Sequence, residues 1–251
     1  MAFSGPSTET TELLKINPDI DREQLAAVFA EHKRVQIQNV LTEDSANKIA
    51  QLLVNNTPWG MSWNAGEDGP HKLRREAAMG LSQSEHQAIG QKLSASMGKS
   101  DFAFLYSQYQ MFDAYQEGWS AGKAHDDLLK DLNSKLFLDL VREVTDLPAI
   151  KWADAQATLY VPGQFLSLHQ DIEAEQGWLV AYVLNFCTRE WRPDWGGYLN
   201  FFDENGDIVA GYKPRFNCLN MFLVPQDHNV SFVPHFAPFG RLAITGWFRD
   251  R

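Results

Sequence analysis

Cysteine is scarce in this chain: Cys187 and Cys218 are the only two in 251 residues, far apart and each inside an apolar run, LNFC and NCLNMF. That excludes a disulfide framework and a cysteine-based zinc site, and it reads as two buried free thiols in a reducing compartment. Long hydrophobic runs are also missing, since nowhere do about 18 apolar residues stand together. The first residues, MAFSGPSTETTELL, lack a basic segment leading into an apolar one. The expectation is a protein with no membrane partner, soluble and cytoplasmic. Basic charge is in deficit, 22 Lys+Arg against 32 Asp+Glu, for a net charge of −10. A nucleic-acid phosphate backbone is therefore a poor partner, whereas a basic protein or peptide would be drawn by long-range attraction. Repeats and low-complexity tracts are absent too.

What is present divides into two characters. Residues 1–20, rich in Ser, Thr, Pro and Gly, read as a flexible arm, and residues 21–251 as one domain. Within it, 21–150 are mostly helical. DREQLAAVFAEH, LTEDSANKIAQLLVNN with Thr42 or Asp44 as cap, SQSEHQAIGQKLSASM, and one long helix over DLLKDLNSKLFLDLVREVTD carry apolar residues at three and four. VQIQNV is a short strand among them. After Leu147-Pro148 the period becomes two: ATLYVP, FLSLH, WLVAYVLNF, GYLNFF, IVAGY, FNCLNMFLV, NVSFVP and RLAITGWF are short strands divided by Pro, Gly, Asn and Asp. Asp203-Glu204-Asn205-Gly206 marks a hairpin. The fold class is α+β with a mainly β core, a sandwich or jelly-roll barrel over 151–251 with the helices packed on one outer face.

One triplet in this β-rich half suggests chemistry. His169-Gln170-Asp171 closes the apolar strand FLSLH, and residues two apart on a strand share a face, so both side chains can turn to one ion. His125-Asp126-Asp127 has the same spacing but adjoins a helical pattern, where two residues diverge around the axis; it reads as the start of a helix. A third ligand would come from His228 or His235, of which His228 opens a strand and His235 follows Pro234 into a turn. Two histidines and a carboxylate hold one face of an octahedral iron, although zinc hydrolases use similar sets. On RLAITGWF, Arg241, Ala243, Thr245 and Trp247 alternate with Leu242, Ile244 and Phe248. An arginine there either snorkels at the surface or presents a fixed fork to a carboxylate beside the Thr245 hydroxyl.

Taken in order, His169-x-Asp171, Trp195-Gly-Gly-Tyr-Leu199, Phe216-Asn-Cys-Leu-Asn-Met-Phe222, His228-x-Val-x-Phe-Val233 and Arg241-Leu-Ala-Ile-Thr-Gly-Trp247 resemble the prolyl 4-hydroxylase-like Fe(II)/2-oxoglutarate dioxygenases. The likeness is greatest to the branch that hydroxylates a prolyl residue of a ribosomal protein. It covers residues 150–251 well and the helical part loosely. The resemblance implies a double-stranded β-helix with supporting helices, and Fe(II) on His169, Asp171 and His228. It implies 2-oxoglutarate with its distal carboxylate on Arg241, ascorbate as a supporting reductant, and succinate and CO2 as coproducts. Tyr160 and Thr245 match pocket residues of the family, Tyr160 reading equally as a core aromatic. Asn185 stands where many relatives carry a tyrosine that helps hold the cosubstrate, so either Asn185 or a substitute such as Tyr182 contacts it. Residues 172–177 read as a lid, with Glu173 and Glu175 toward a basic peptide, or as a mere connection. Trp191, Trp195 and Trp247 are candidates to stack on a prolyl ring. The implied activity is hydroxylation of a prolyl residue in a protein, possible targets including a basic ribosomal protein. The alternatives are hydroxylation of a free amino acid or other small molecule, and a non-catalytic binding module, which intact ligands argue against.

Overall fold

The alternation after residue 150 does build strands, and what they enclose depends on which parity faces which way. The structure, a computed structural model, describes residues 13–119, 123–172 and 174–251. Its first part runs α1 (Arg22–His32), β1 (Arg34–Gln38), α2 (Glu43–Asn56), β2 (Gly60–Ala65), β3 (Asp68–Leu73), α3 (Arg75–Met79), α4 (Gln83–Met97), β4 (Ala103–Tyr109), α5 (Met111–Glu117), α6 (Lys123–Leu132) and α7 (Lys135–Thr145). The second part is β5 (Trp152–Ala153), β6 (Gln156–Tyr160), β7 (Phe165–His169), β8 (Trp178–Phe186), β9 (Leu199–Phe202), β10 (Ile208–Tyr212), β11 (Phe216–Leu223), β12 (His228–Val230) and β13 (Arg241–Arg249). The strands join in the order β1-β11-β8-β13-β6-β4-β7-β12-β9-β10, with the β2–β3 hairpin hung on β4. This mostly antiparallel sheet closes nearly into a jelly-roll barrel.

Strand parity sorts the core into two. On β8 and β13, Val180, Tyr182, Leu184 and Phe186 with Leu242, Ile244 and Phe248 face outward and pack with Ile49 and Leu53 of α2, Leu128 and Leu132 of α6 and Leu140 and Val144 of α7. The opposite parity, Ala181, Val183 and Ala243, faces inward with Leu199, Phe201 and Phe222, and Trp247 packs against this inner set. Small residues on the inward parity leave the barrel interior partly open, which is where a site has room.

The first part of the chain differs from its sequence pattern in several places, among them the short helices α3 and α5, which were not anticipated. The long helix expected over 127–146 is two, α6 and α7. Asn133 ends the first by donating to the carbonyls of Leu129 and Ala153 and accepting from the Ala153 N–H, and Ser134 caps the second by accepting from the Phe137 N–H. Three strands, β2, β3 and β4, were not anticipated; β4 pairs with β6 and β7 and so forms part of the barrel wall. The loose arm expected for residues 1–20 is not found in the part described. Residues 1–12 lie outside the described residues, but Leu13 and Leu14 donate their N–H groups to Asp131, Ile16 bridges to Leu41, and Leu13, Leu14, Ile16 and Ile20 pack on the main core. Thr42 caps α2 as expected, and both cysteines are free and buried. No helix among the described residues is long and apolar enough to cross a membrane.

The Trp195-Gly-Gly-Tyr-Leu199 motif has a local reason. Gly196 sits at φ +58, ψ −146, a region that only glycine occupies readily, and a Cβ there would lie 2.0 Å from the Phe232 carbonyl oxygen. Gly196→Ala should therefore cost about 3 kcal/mol or more, the strain of the φ/ψ region plus the overlap. Urea denaturation of the two proteins would measure it, and a loss under about 0.5 kcal/mol, the size of an ordinary surface substitution, would mean the loop has another conformation.

Candidate active site

β7 reaches the site through a fault in its pairing. The ladder opposes His169 to His228 and Leu166 to Val230, so that Ser167 and Leu168 of β7 stand against Asn229 of β12. The extra residue turns His169 to the same side as Leu166 and leaves Leu168 half exposed, the re-aiming that a bulge performs. β7 ends at His169, so Asp171 arrives by the irregular segment that follows it rather than by strand alternation. His228 is the first residue of β12.

His169, Asp171 and His228 each offer a ligand atom within 4.8 Å of the other two. Asp171 lies between the imidazoles, one oxygen 3.7 Å from His169 Nε2 and the other 3.7 Å from His228 Nε2. These separations exceed hydrogen bonds and suit groups that share a third partner. The tautomers suit it as well. His169 Nδ1–H donates to the Ser167 carbonyl and His228 Nδ1–H to the Gln226 carbonyl, both at 2.9 Å. A carbonyl can only accept, so each Nε2 keeps its lone pair toward the cluster, as a ligating histidine requires. Burial, and then the neighbouring His169, push the His228 pKa down to about 4, so its imidazole is neutral at pH 7. Two imidazoles anchored through Nδ1 and a carboxylate fit a divalent transition-metal ion.

The cluster lies on the wall of a cavity of about 670 Å³ that also contains Arg241, Tyr160 and Thr245. Arg241 is 1% exposed. Its Nε and Nη2 have no hydrogen-bond partner, its guanidinium lies 5.3 Å from the centre of the Tyr160 ring, and burial lowers its pKa from the ordinary arginine value. A dry guanidinium without a partner is costly to keep. A carboxylate delivered to this wall would satisfy the fork, so the pocket fits a dicarboxylate next to a metal.

Other expected residues fall elsewhere. Asn185 faces inward on β8 but does not line the cavity; its Nδ2 donates to the carbonyls of Val183 and Cys218 at 3.3 Å, and its Oδ1 is buried without a hydrogen-bond partner. Tyr182 borders the cavity but is no substitute, since its ring packs on Phe248 and its hydroxyl is taken up in donating to the Asp154 carbonyl at 2.7 Å. Trp191 and Trp195 pack edge to face beside the barrel, off the cavity, with Trp191 donating to the Gly196 carbonyl. Of the three tryptophans considered for stacking, Trp247 alone lines the cavity. His235 is exposed, against Gly163. His125 lies in α6, buried against Thr57 and Tyr109. Of residues 172–177, Ile172 and Gln176 line the cavity, Ala174–Gln176 form a 3-10 turn, and Glu173 lies outside the described residues.

Sequence reasoning missed Tyr106. From the unanticipated β4 it enters the cavity wall 5.1 Å from the Tyr160 ring, and burial raises its pKa to about 12, hydrogen bonds to Gln156 and Ser62 opposing. Burial raises the Tyr160 pKa as well, so two neutral phenols adjoin, Tyr160 being the one beside the Arg241 guanidinium. Alternation in AFLYSQY was the one signal that could have found it.

Residues 155–249, the segment that carries the cluster and Arg241, match the model of the 2OG-Fe(II) oxygenase superfamily. No curated protein sequence matches the chain. Among solved structures, the prolyl-4-hydroxylase of Pseudomonas putida is similar over 95% of this chain and 98% of its own, with 20% identity and a TM-score of 0.54. An oxidoreductase of the 2OG-Fe(II) oxygenase family from Burkholderia pseudomallei is similar over 94% of both chains, with 10% identity and a TM-score of 0.59. A prolyl hydroxylase of Trichoplax adhaerens, solved with a peptide of the hypoxia inducible factor oxygen degradation domain, covers 91% of this chain and 89% of its own, with 14% identity and a TM-score of 0.51. At these identities the structural likeness speaks for the fold.

Proposed function

We propose that the chain is an Fe(II)- and 2-oxoglutarate-dependent dioxygenase that hydroxylates a prolyl residue of a polypeptide. The observation that carries this reading is Arg241, a buried guanidinium with two unpartnered nitrogens in the same cavity as a His-Asp-His cluster. In this reading His169, Asp171 and His228 hold the iron, and Arg241 takes the distal carboxylate of 2-oxoglutarate, flanked by Thr245, Tyr160 and Tyr106. When bound, Fe(II) and 2-oxoglutarate supply the oxidation, with dioxygen consumed and succinate and CO2 released. The chain's own residues position and shield. The two backbone-anchored imidazoles keep their lone pairs inward, and the phenols remain neutral donors in a dry wall. Phe102, Phe104 and Leu166 line the cavity with apolar surface that keeps bulk water from the reacting centre.

A polypeptide substrate is supported by the volume, which exceeds what a five-carbon diacid fills, and by a mouth bordered by Phe102 and Ile172, 39% and 66% exposed. The net charge of −10 favours a basic one, and a basic ribosomal protein is a candidate on the motif resemblance. Purified protein with Fe(II), ascorbate and 2-oxoglutarate should add one oxygen atom to proline in such peptides, read by tandem mass spectrometry. Steady succinate formation triggered by a free amino acid, with every peptide unmodified, would replace this reading with a small-molecule hydroxylase.

A further inference from the structure

The cavity extends well past the residues assigned to iron and cosubstrate. Along β13 the inward positions 241, 243, 245, 247 and 249 step by about 6.7 Å per pair, so Arg249 stands about 27 Å along the strand from Arg241. At that far end the wall consists of Asp113, Asp154, Gln156, Trp178, Trp247 and Arg249. Trp178 and Trp247 stack with ring centres 4.0 Å apart and 6° between planes. Both indole N–H groups are buried and neither has a hydrogen-bond partner. Buried N–H groups without acceptors are costly, and a ligand bearing carbonyl oxygens would relieve that cost.

The charges of this lobe do not cancel. Arg249 is held by Asp154, with which it forms an ion pair, and lies 4.8 Å from the Trp152 ring centre. Asp154 also accepts the Trp247 backbone N–H at 2.7 Å, and Gly246 leaves room for it, since a Cβ there would lie 2.5 Å from the Asp154 carboxylate. Asp113, in the first turn of α5, faces the same guanidinium, whose pKa its charge raises against the larger lowering by burial. Asp113 accepts a hydrogen bond from the neutral Gln110 amide at 2.5 Å. Two carboxylates thus stand on the wall with one arginine, and the ion pair it forms is with Asp154. Of the other basic side chains of the cavity wall, Arg241 stands at the opposite end of β13 and Lys72 belongs to β3, two strands over from Tyr106. The lobe combines excess negative charge, aromatic faces and two idle donors.

We infer that this outer lobe reads a basic segment of polypeptide: Trp178 and Trp247 donate to main-chain carbonyls, and Asp113 pairs with a lysine or arginine side chain flanking the modified residue. The inference rests on the hydroxylase reading in taking that residue to lie over the metal cluster. Charge in a partly desolvated lobe beside aromatic rings discriminates by pairing, cation–π attraction and desolvation together.

The test uses the whole chain loaded with Mn(II) and 2-oxoglutarate, and fluorescein-labelled proline peptides in which lysine, norleucine or glutamate is walked through the flanking positions. Binding is read by anisotropy and needs no turnover. At one position or more, lysine should bind about tenfold tighter than norleucine, one factor of ten corresponding to a single good charge pair, and glutamate should bind weakest. Asp113→Asn should shrink the lysine preference to under about threefold while the 2-oxoglutarate affinity stays at the wild-type value. Trp178→Phe, which keeps a ring and loses the N–H, should weaken lysine and norleucine peptides equally. Equal binding of all three peptides by the wild type, or an undiminished preference in Asp113→Asn, overturns the inference. Free lysine competing as well as the peptide overturns its polypeptide part. Lysine-selective binding without oxygen gain on proline under Fe(II) supports the recognition lobe and defeats the prolyl hydroxylase reading alone.

Discussion

His169→Ala and Asp171→Ala should each abolish the thermal stabilisation that a divalent metal gives the wild type. A ligand present at a hundred times its dissociation constant stabilises the folded state by about 2.7 kcal/mol. At about 2–4 °C per kcal/mol for a chain of this size, saturating Mn(II) under argon should raise the wild-type melting temperature by about 5–10 °C. Loss of a group that merely supports a ligand weakens metal binding about 10–100-fold, and loss of a ligand itself should exceed that, leaving no shift at the same concentration. Without metal, Asp171→Ala should melt no lower than the wild type, because the carboxylate is 9% exposed and makes no hydrogen bond shorter than the 3.7 Å approaches to the histidines. Binding of 2-oxoglutarate should disappear in both variants together with the metal, if the cosubstrate chelates it. A full metal-induced shift in either variant would place the metal elsewhere.

The parts of this molecule that were legible in its sequence are those where one periodicity dominates. WLVAYVLNF and RLAITGWF form β8 and β13 because alternation separates a large outward set from a small inward set, and that difference is also what leaves space for a site. His169, His228 and Arg241 stood out as polar residues at the ends of apolar strands. The rest depended on tertiary pairing. GMSWNA and DGPHKL contain Gly, Pro, Asn and Asp, residues depleted in strands, and they become β2 and β3 only because β4 offers a partner. AFLYSQY is a short apolar run between helices, the kind periodicity resolves least well. With β4 unread, Tyr106 went unread too, and nothing in the spacing marks Asp113 or Trp178 as neighbours of Trp247. Asn185 failed for the opposite reason: its position in the motif was clear, but its Nδ2 donates to strand carbonyls and the side chain stays off the cavity wall, which only the sheet register reveals.

Arg241→Met should do two things of opposite sign. It should lower the affinity for 2-oxoglutarate by at least about 30-fold, since truncating one partner of a buried charge-assisted pair costs about 2–5 kcal/mol and 1.4 kcal/mol is a factor of ten. It should also make the ligand-free protein more stable, by about 1 kcal/mol or more. The second effect follows from the unpartnered Nε and Nη2: the wild-type fold carries a desolvated guanidinium whose counter-charge arrives only with a ligand. Methionine fills similar volume beside Tyr160 and Gly197 without that penalty. The metal-induced shift should survive, because β13 contributes none of the three residues of the cluster. Isothermal titration with 2-oxoglutarate in the presence of Mn(II), and urea unfolding without either, measure the two effects. A variant less stable than the wild type would mean Arg241 is paired within the fold; one that binds 2-oxoglutarate with wild-type affinity would remove Arg241 from the site. Stability gained where a ligand is lost would instead identify the unpaired charge as kept for binding at the expense of the empty fold.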